Sequence, residues 1–167
     1  LSVPASRSGT MLALPLGAQD VAPTLPSLAG FAVIAADNGP ASCLVSANDE
    51  GCADVEAWAM SQGIEARRLA VSHAYHSELI ADAVQPYREA LAKVEFRAPS
   101  VPVASTITGA ELTRFDLERL PDLLAEQLVR PVRLADAVRA TALRGASLFV
   151  ECGPKRALST FVDAILD

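Results

Sequence analysis

Short apolar runs alternate with amphipathic stretches over the first 71 residues. Four runs have the length and apolar content of strands, at 9–16, 31–36, 42–47 and 65–71. Helices are predicted between them at 21–28 and 48–62, the second one capped by Asn48 or Asp49 and ended by Gly63. Asn38-Gly39 predicts a hairpin turn between the second and third strands, because both residues tolerate positive φ. The order strand, helix, strand, strand, helix, strand is that of a ferredoxin-like unit.

Helices and short strands alternate in the remaining chain. Pro86 falls inside the first predicted helix of this part and is expected to kink or split it. Alternation of this kind indicates α/β layers. The apolar spacing predicts strands at 100–107 and 148–150, the latter buried, and helices at 77–94, 117–127, 134–143 and 155–166.

Composition narrows the class of protein. Just over half of the 167 residues (51%) are apolar, which suffices for a buried core, and the net charge of −6 argues against a general nucleic-acid binder, which needs a basic face. No apolar run reaches the roughly 20 residues that span a bilayer. Three scattered cysteines, Cys43, Cys52 and Cys152, are expected to be free buried thiols of a reducing compartment, which predicts a cytoplasmic protein.

Two histidines, His73 and His76, lie three residues apart at a predicted strand-to-helix junction, and the sequence holds no others. A histidine in such a loop can act as a general base near neutral pH. Spacing alone leaves two other interpretations open. The pair could simply lie on the surface, or it could bind a metal together with a third ligand, for which Glu78 is the nearest candidate.

The residues around this pair resemble a known family. VSHAYHSELI, residues 71–80, is similar to the VSHAFHSPLM segment of acyltransferase domains from polyketide synthases. In that family the last histidine of the four-residue box is the general base, which implies this role for His76. The box also discriminates between acyl units, and its HAFH form accompanies malonyl. Here Tyr75 replaces the usual phenylalanine and adds a hydroxyl. Ser72 and His73 would either line the acyl pocket or shape the loop.

The resemblance extends in order along nearly the whole chain. Gln127 falls where the family has a residue that holds the histidine by its other ring nitrogen, so the resemblance implies an orienting role for it. Asn38, in the matching turn, is a candidate for the edge of the active-site cleft, although an asparagine in a turn needs no such role. The further matching segments are GTMLALPL (9–16), FAVIAADNGPASCLVSA (31–47), FRAPSVPVASTITG (96–109), QLVRPVRLADAV (127–138) and FVECGPKRALS (149–159).

The resemblance implies an α/β fold with a ferredoxin-like small subdomain and the C-terminal part of an α/β-hydrolase-like large subdomain. Residues 1–8 would be a loop from the large subdomain, 9–71 the small subdomain, and 72–167 the C-terminal part of the large one. A serine in such enzymes takes a malonyl-type unit from coenzyme A and passes it to the phosphopantetheine thiol of an acyl carrier protein. No bound cofactor or metal is expected, and a ketosynthase domain is the implied neighbour.

The serine of this mechanism lies in a Gly-His-Ser-x-Gly elbow, and no Gly-x-Ser-x-Gly occurs in the sequence. We therefore expect the chain to be the C-terminal piece of the domain, to need the N-terminal half that carries the serine, and to be inactive alone. Two alternatives stay open: a non-catalytic structural or interaction remnant of a synthase, and a related acyl-thioester hydrolase. The first would transfer nothing, and the second would use water as the acyl acceptor.

Overall fold

The computed structural model describes residues 8–167, so the predicted loop at 1–8 lies, except for Ser8, outside the described residues. Two sheets are formed. A five-stranded sheet has the strand order fourth, first, third, second, seventh, and a separate two-stranded hairpin pairs the fifth strand with the sixth. The strands are β1 (Thr10–Leu14), β2 (Ala32–Asp37), β3 (Cys43–Ala47), β4 (Arg67–Arg68), β5 (Ala104–Ser105), β6 (Ala110–Glu111) and β7 (Val132–Arg133).

The first four strands form the predicted ferredoxin-like unit. β3 lies antiparallel between β1 and β2, and β4 pairs antiparallel with the other edge of β1. Two α-helices, α1 (Ala18–Val21) and α2 (Asp49–Ser61), pack with a 3₁₀ turn at Leu25–Ser27 on one face of this sheet. The predicted antiparallel sheet with helices on one face is confirmed. Because alternate strand residues point to that face, its core consists of Leu12, Leu14, Val21, Leu25, Cys43, Val45, Ala47, Cys52, Val55 and Ala59.

Local sequence explains where these elements begin and end. The Asn48 side chain accepts a hydrogen bond from the Gly51 N–H at 2.7 Å and caps α2. Gly63, with φ of +69°, adopts the left-handed conformation that commonly ends helices. In the hairpin turn, Gly39 has φ of +126°, and a Cβ atom there would lie only 2.8 Å from the Ile165 side chain. The turn therefore requires glycine both for its backbone and for its close approach to the last helix.

The second half is mainly helical. The predicted helix at 77–94 is split, as expected: a 3₁₀ helix at Glu78–Ala83 precedes the next α-helix, whose first turn holds Pro86. β7 pairs in parallel with β2, so a strand from the second half extends the sheet of the ferredoxin-like unit. The α-helices are α3 (Val84–Leu91), α4 (Arg114–Glu118), α5 (Leu120–Glu126), α6 (Leu134–Leu143) and α7 (Ala157–Leu166). α5 packs against α3, and α7 packs against α6.

Three predicted strands are shorter than expected or absent. Within residues 65–71 only the two residues of β4 form a strand, and within residues 100–107 only the two residues of β5 do. The prediction of a buried strand at 148–150 was wrong: Leu148 and Val150 are 79% and 74% exposed, and this segment pairs with no other part of residues 8–167. A strand needs a hydrogen-bonding neighbour, so apolar content alone does not make one. The expectation that all three thiols are buried was wrong for Cys152, which is exposed.

Candidate active site

The box loop, residues 72–77, connects β4 to the 3₁₀ helix at Glu78–Ala83. Its end is tightly held: the buried Ser77 hydroxyl donates to the Ala74 carbonyl at 2.6 Å and accepts from the Leu79 N–H at 3.3 Å. Immediately before it, His76 has φ of +59°, in the left-handed region that residues other than glycine rarely adopt. A residue keeps such a conformation only where its surroundings hold it there.

The segment that follows α5 holds His76. Nδ1 of the imidazole lies 2.9 Å from the carbonyl oxygen of Gln127 and 3.1 Å from that of Arg130. The backbone N–H of His76 donates to the Leu128 carbonyl at 2.9 Å. Because carbonyl oxygens only accept, Nδ1 carries the proton in these contacts. In the neutral ring the lone pair is then on Nε2, which is the atom that can accept a proton.

Helix geometry explains why the Gln127 carbonyl is available. α5 ends at Glu126, and Gln127 is its C-cap residue. Carbonyl groups at the end of a helix have no partner within that helix and can accept from another segment. Leu123 and Ala125 are buried where α5 packs against α3, which fixes the position of the helix end. His76 thus satisfies an acceptor that α5 itself leaves unpaired.

Ser72, His73 and Tyr75 form a second network in the same loop. The Ser72 hydroxyl lies 2.7 Å from Nδ1 of His73 and 3.3 Å from the hydroxyl oxygen of Tyr75. The two rings meet edge to face, with centroids 5.9 Å apart. Tyr75 is 38% exposed, so part of its ring is accessible to a ligand. The structure brings these three predicted pocket residues together, and their role in binding substrate stays a prediction.

Asn38 lies in the hairpin turn that follows β2 and is largely buried. Its backbone N–H donates to the Ser42 carbonyl at 3.1 Å and closes the turn. β7 begins two residues after Arg130 and pairs with the end of β2, which places the turn near the segment that holds His76. No hydrogen bond joins Asn38 to His76 within residues 8–167, so a place in the cleft stays a prediction.

Sequence reasoning missed three residues that contact the box loop: Ser46, Leu128 and Arg130. Ser46 is fully buried in β3, and its hydroxyl donates to the carbonyl of Tyr75. A serine in the middle of an apolar strand was the available signal, because a buried hydroxyl without a partner is costly. Leu128 and Arg130 act through backbone carbonyls, which side-chain patterns do not reveal.

The described residues also bear on the metal interpretation and on the cysteines. Among residues 8–167 no group of three or more histidine, cysteine or acidic residues is placed to hold a metal ion, so Glu78 does not complete a site with the two histidines.

Burial raises the pKa of the Cys43 thiol to about 12 and also raises that of Cys52, which keeps both thiols protonated and unreactive.

The helices of the described chain, from residue 8 onwards, include none with the length and apolar character needed to cross a membrane.

No protein-family model matches the chain, but known proteins resemble it in sequence and in structure. Polyketide synthase GfsB of Streptomyces halstedii is 38% identical over 161 residues, which are 95% of this chain and 3% of that protein. The acyltransferase domain from the second module of the salinomycin polyketide synthase superposes with a TM-score of 0.84 and 32% identity, over 99% of this chain and 38% of that domain. An acyl-carrier-protein S-malonyltransferase from Burkholderia pseudomallei superposes with a TM-score of 0.87 and 28% identity, over 95% of this chain and 52% of that protein.

These matches establish the fold class. The fold is that of acyltransferases with a ferredoxin-like small subdomain and an α/β-hydrolase-like large subdomain, as predicted. Over most of its length the chain is similar to the acyltransferase domains of type I polyketide synthases, consistent with their C-terminal portion. It spans a small fraction of the curated synthases it matches and about two fifths to one half of the solved domains.

Proposed function

We propose that this chain supplies the general base of an acyltransferase that moves a malonyl-type extender unit from coenzyme A to the phosphopantetheine thiol of an acyl carrier protein. The observation that carries the proposal is the 2.9 Å contact between Nδ1 of His76 and the Gln127 carbonyl, since it leaves Nε2 free to accept a proton. Similarity to an S-malonyltransferase supports the malonyl-type substrate.

In the first step Nε2 of His76 accepts the proton of a serine hydroxyl, and the serine oxygen forms a bond to the thioester carbonyl carbon. The carbon–sulfur bond then breaks, and the protonated imidazole returns its proton to the departing thiolate of coenzyme A. In the second step Nε2 takes the proton of the phosphopantetheine thiol, and its sulfur forms a bond to the carbonyl carbon of the acyl-serine ester. The carbon–oxygen bond to serine then breaks, and the imidazolium returns the proton to the serine oxygen. The Gln127 and Arg130 carbonyls stabilise the imidazolium in both steps, because they accept from its Nδ1–H.

Ser72, His73 and Tyr75 are proposed to line the acyl pocket beside this base, and Asn38 to lie at the edge of the cleft. The edge-to-face packing of His73 and Tyr75 supports a fixed aromatic wall, since each ring restricts the other. The Ser72 hydroxyl contacts both and restricts their side chains further. No bound cofactor is part of the proposed reaction.

An exposed apolar face supports a further part of the proposal. Leu148, Val150, Leu158 and Leu166 are exposed around Phe149 and Val162 near the C-terminus, and a patch of this kind marks an interface. We propose that it packs against the part of the acyltransferase domain that carries the serine.

An acyl carrier protein and a neighbouring ketosynthase domain are the other proposed partners, and a cytoplasmic location is inferred from the unpaired cysteines.

The test is acyl transfer by the complete protein that contains this chain. Mass spectrometry should detect malonyl first on the protein and then on a carrier protein bearing phosphopantetheine, and His76→Ala should abolish most of both. The 167-residue chain alone should gain no stable malonyl mass. Release of free malonate without acylation of the carrier would favour the hydrolase alternative, and a complete protein that loads nothing would favour the structural one.

A further inference from the structure

We infer that Ser46 is a positioning residue for His76, acting through the peptide group that joins Tyr75 to His76. The inference rests on the proposed function only for its catalytic consequence, because the geometry that carries it is independent of the substrate. Ser46 belongs to none of the residues that the sequence assigned to the site, and its hydroxyl hydrogen-bonds the Tyr75 carbonyl and not the ring of His76.

The strand places the Ser46 hydroxyl on the face opposite the core of the ferredoxin-like unit. Cys43, Val45 and Ala47 of β3 point into that core, and successive residues of a strand point to opposite faces. Ser46 therefore points to the face on which the box loop lies, and it is fully buried there. Its hydroxyl donates to the Tyr75 carbonyl oxygen. A buried serine in this strand thus ties the sheet to the loop.

One peptide group is held at both of its polar ends. Its carbonyl, from Tyr75, accepts from Ser46, and its N–H, from His76, donates to the Leu128 carbonyl at 2.9 Å. The two anchors come from separate parts of the fold, β3 and the segment after α5. A peptide plane fixed in this way cannot rotate freely about the N–Cα bond of His76, so the anchors hold the residue at its φ of +59°.

The direction of the imidazole depends on this backbone conformation. The left-handed region is disfavoured for a residue with a Cβ atom, so release of one anchor favours return to the common region. Such a return would swing the ring away from the Gln127 carbonyl, which lies 2.9 Å from Nδ1 in the structure. Removing the Ser46 hydroxyl also leaves the part-buried Tyr75 carbonyl without its donor, which makes the present loop geometry less favourable.

Ser46→Ala tests the inference, with Val45→Ala as the matched control. Val45 is the neighbouring residue of β3, is fully buried, and packs in the core on the opposite face. Both variants should lower the melting temperature, because both remove buried groups. In the complete acyltransferase, Ser46→Ala should lower kcat by about 10–100-fold with KM little changed, as for residues that orient a catalytic group. Val45→Ala should leave both constants nearly unchanged per folded molecule.

A second readout does not need activity. The chain has only two histidines, so ¹H–¹⁵N spectra of the imidazoles of the 167-residue protein contain two ring systems, which His73→Gln assigns. The wild-type protein and Val45→Ala should show the Nδ1–H tautomer of His76, and Ser46→Ala should show a mixture of tautomers. An unchanged His76 tautomer in Ser46→Ala, or an unchanged kcat, would overturn the inference. Absence of transfer by the wild-type enzyme would refute the proposed function alone, because the spectra would still decide on Ser46.

Discussion

Nδ1 of His76 lies 2.9 Å from the carbonyl oxygen of Gln127, so His76 contacts the main chain of Gln127 and not its amide. Gln127 also lines a cavity of about 230 Å³ together with Leu120, Leu123 and Leu124. A residue that acts through its carbonyl can be replaced without losing its contact, provided that the backbone keeps its course. The orienting role predicted for Gln127 would therefore depend on the position of the helix end and not on the side-chain amide.

This arrangement predicts a contrast between two substitutions of Gln127. Gln127→Ala should change kcat by about twofold or less, because it leaves the carbonyl in place. Gln127→Pro should lower kcat by about 10–100-fold, since it removes the N–H that donates to the Leu123 carbonyl at 3.1 Å and displaces the helix end. Steady-state kinetics of the complete enzyme measure both. A large loss of kcat in Gln127→Ala would instead assign the role to the side-chain amide.

The two histidines should differ in their effect on transfer. His76→Ala should lower kcat by about 10²–10⁴-fold, as is usual for loss of a general base. His73→Ala should mainly change the choice between malonyl and methylmalonyl thioesters, because His73 contacts Ser72 and Tyr75 and not the carbonyls after α5. Single-turnover loading of both thioesters separates the two effects. If His73→Ala caused the greater loss of rate, the assignment of the base would be reversed.

Local chemistry was enough to predict much of this structure. The Asn38-Gly39 turn, the Asn48 cap and the left-handed Gly63 each depend on residues within a few positions of one another, and the structure has all three. The same is true of α6, whose apolar spacing gives its bounds, Leu134–Leu143. At these positions a short-range pattern predicted a short-range interaction, whereas the helix predicted at 21–28 is only a 3₁₀ turn at Leu25–Ser27 after α1.

Features that depend on distant partners were not predicted. The segment at 148–150 has the composition of a strand but no partner among residues 8–167. β7 is only two residues long, and its pairing with β2 could not be recognised from its own sequence. Within the site, the resemblance pointed to His76 and Gln127, but Ser46 and Leu128 contact the loop through the tertiary fold. The left-handed φ of His76 likewise results from those contacts.

Glu151 predicts a pH dependence of stability. Its carboxylate lies outside α7 but caps it, accepting from the Ser159 hydroxyl at 2.7 Å and from the backbone N–H groups of Ser159 and Leu158 at 2.9 and 3.1 Å. These hydrogen bonds, with the Ser159 hydroxyl first, lower the pKa of Glu151 below its ordinary value of 4.5. The folded-state pKa is depressed, so the stabilisation is present above pH 4.5 and is lost as pH falls through the lower, folded value.

Urea unfolding of Glu151→Gln measures this contribution. The variant should be less stable than the wild-type protein near neutral pH, and the difference should shrink as pH falls below the ordinary pKa of the carboxyl. Glu65→Gln is the control, because Glu65 is exposed and makes no hydrogen bond within the described residues. A stability difference between Glu151→Gln and the wild-type protein that stayed constant down to about pH 3 would contradict the linkage.

The three cysteines should differ in reactivity towards a thiol reagent. Cys152 is exposed, whereas Cys43 and Cys52 are fully buried and have raised pKa values, with that of Cys43 at about 12. Because the thiolate is the reactive form, a disulfide reagent should label one thiol rapidly in the native protein and all three after unfolding. Cys152→Ser should remove the rapid phase. Rapid labelling that persisted in this variant would show that a buried thiol is accessible.

Substitutions of Tyr75 can show whether its ring or its hydroxyl determines the selectivity of the proposed pocket. The ring is proposed to fill the space that an α-methyl branch would need, and one methyl group in an apolar pocket discriminates by about 1–3 kcal/mol. Tyr75→Phe keeps the ring and removes only the contact with Ser72 at 3.3 Å, so the preference for malonyl over methylmalonyl should persist. Tyr75→Ser removes the ring and should lower that preference by about 10-fold or more. The ratio of kcat/KM for the two thioesters, measured with the complete enzyme, decides between the ring and the hydroxyl. An unchanged ratio in Tyr75→Ser would show that the ring does not contact the acyl group, and a ratio altered equally in both variants would assign selectivity to the hydroxyl.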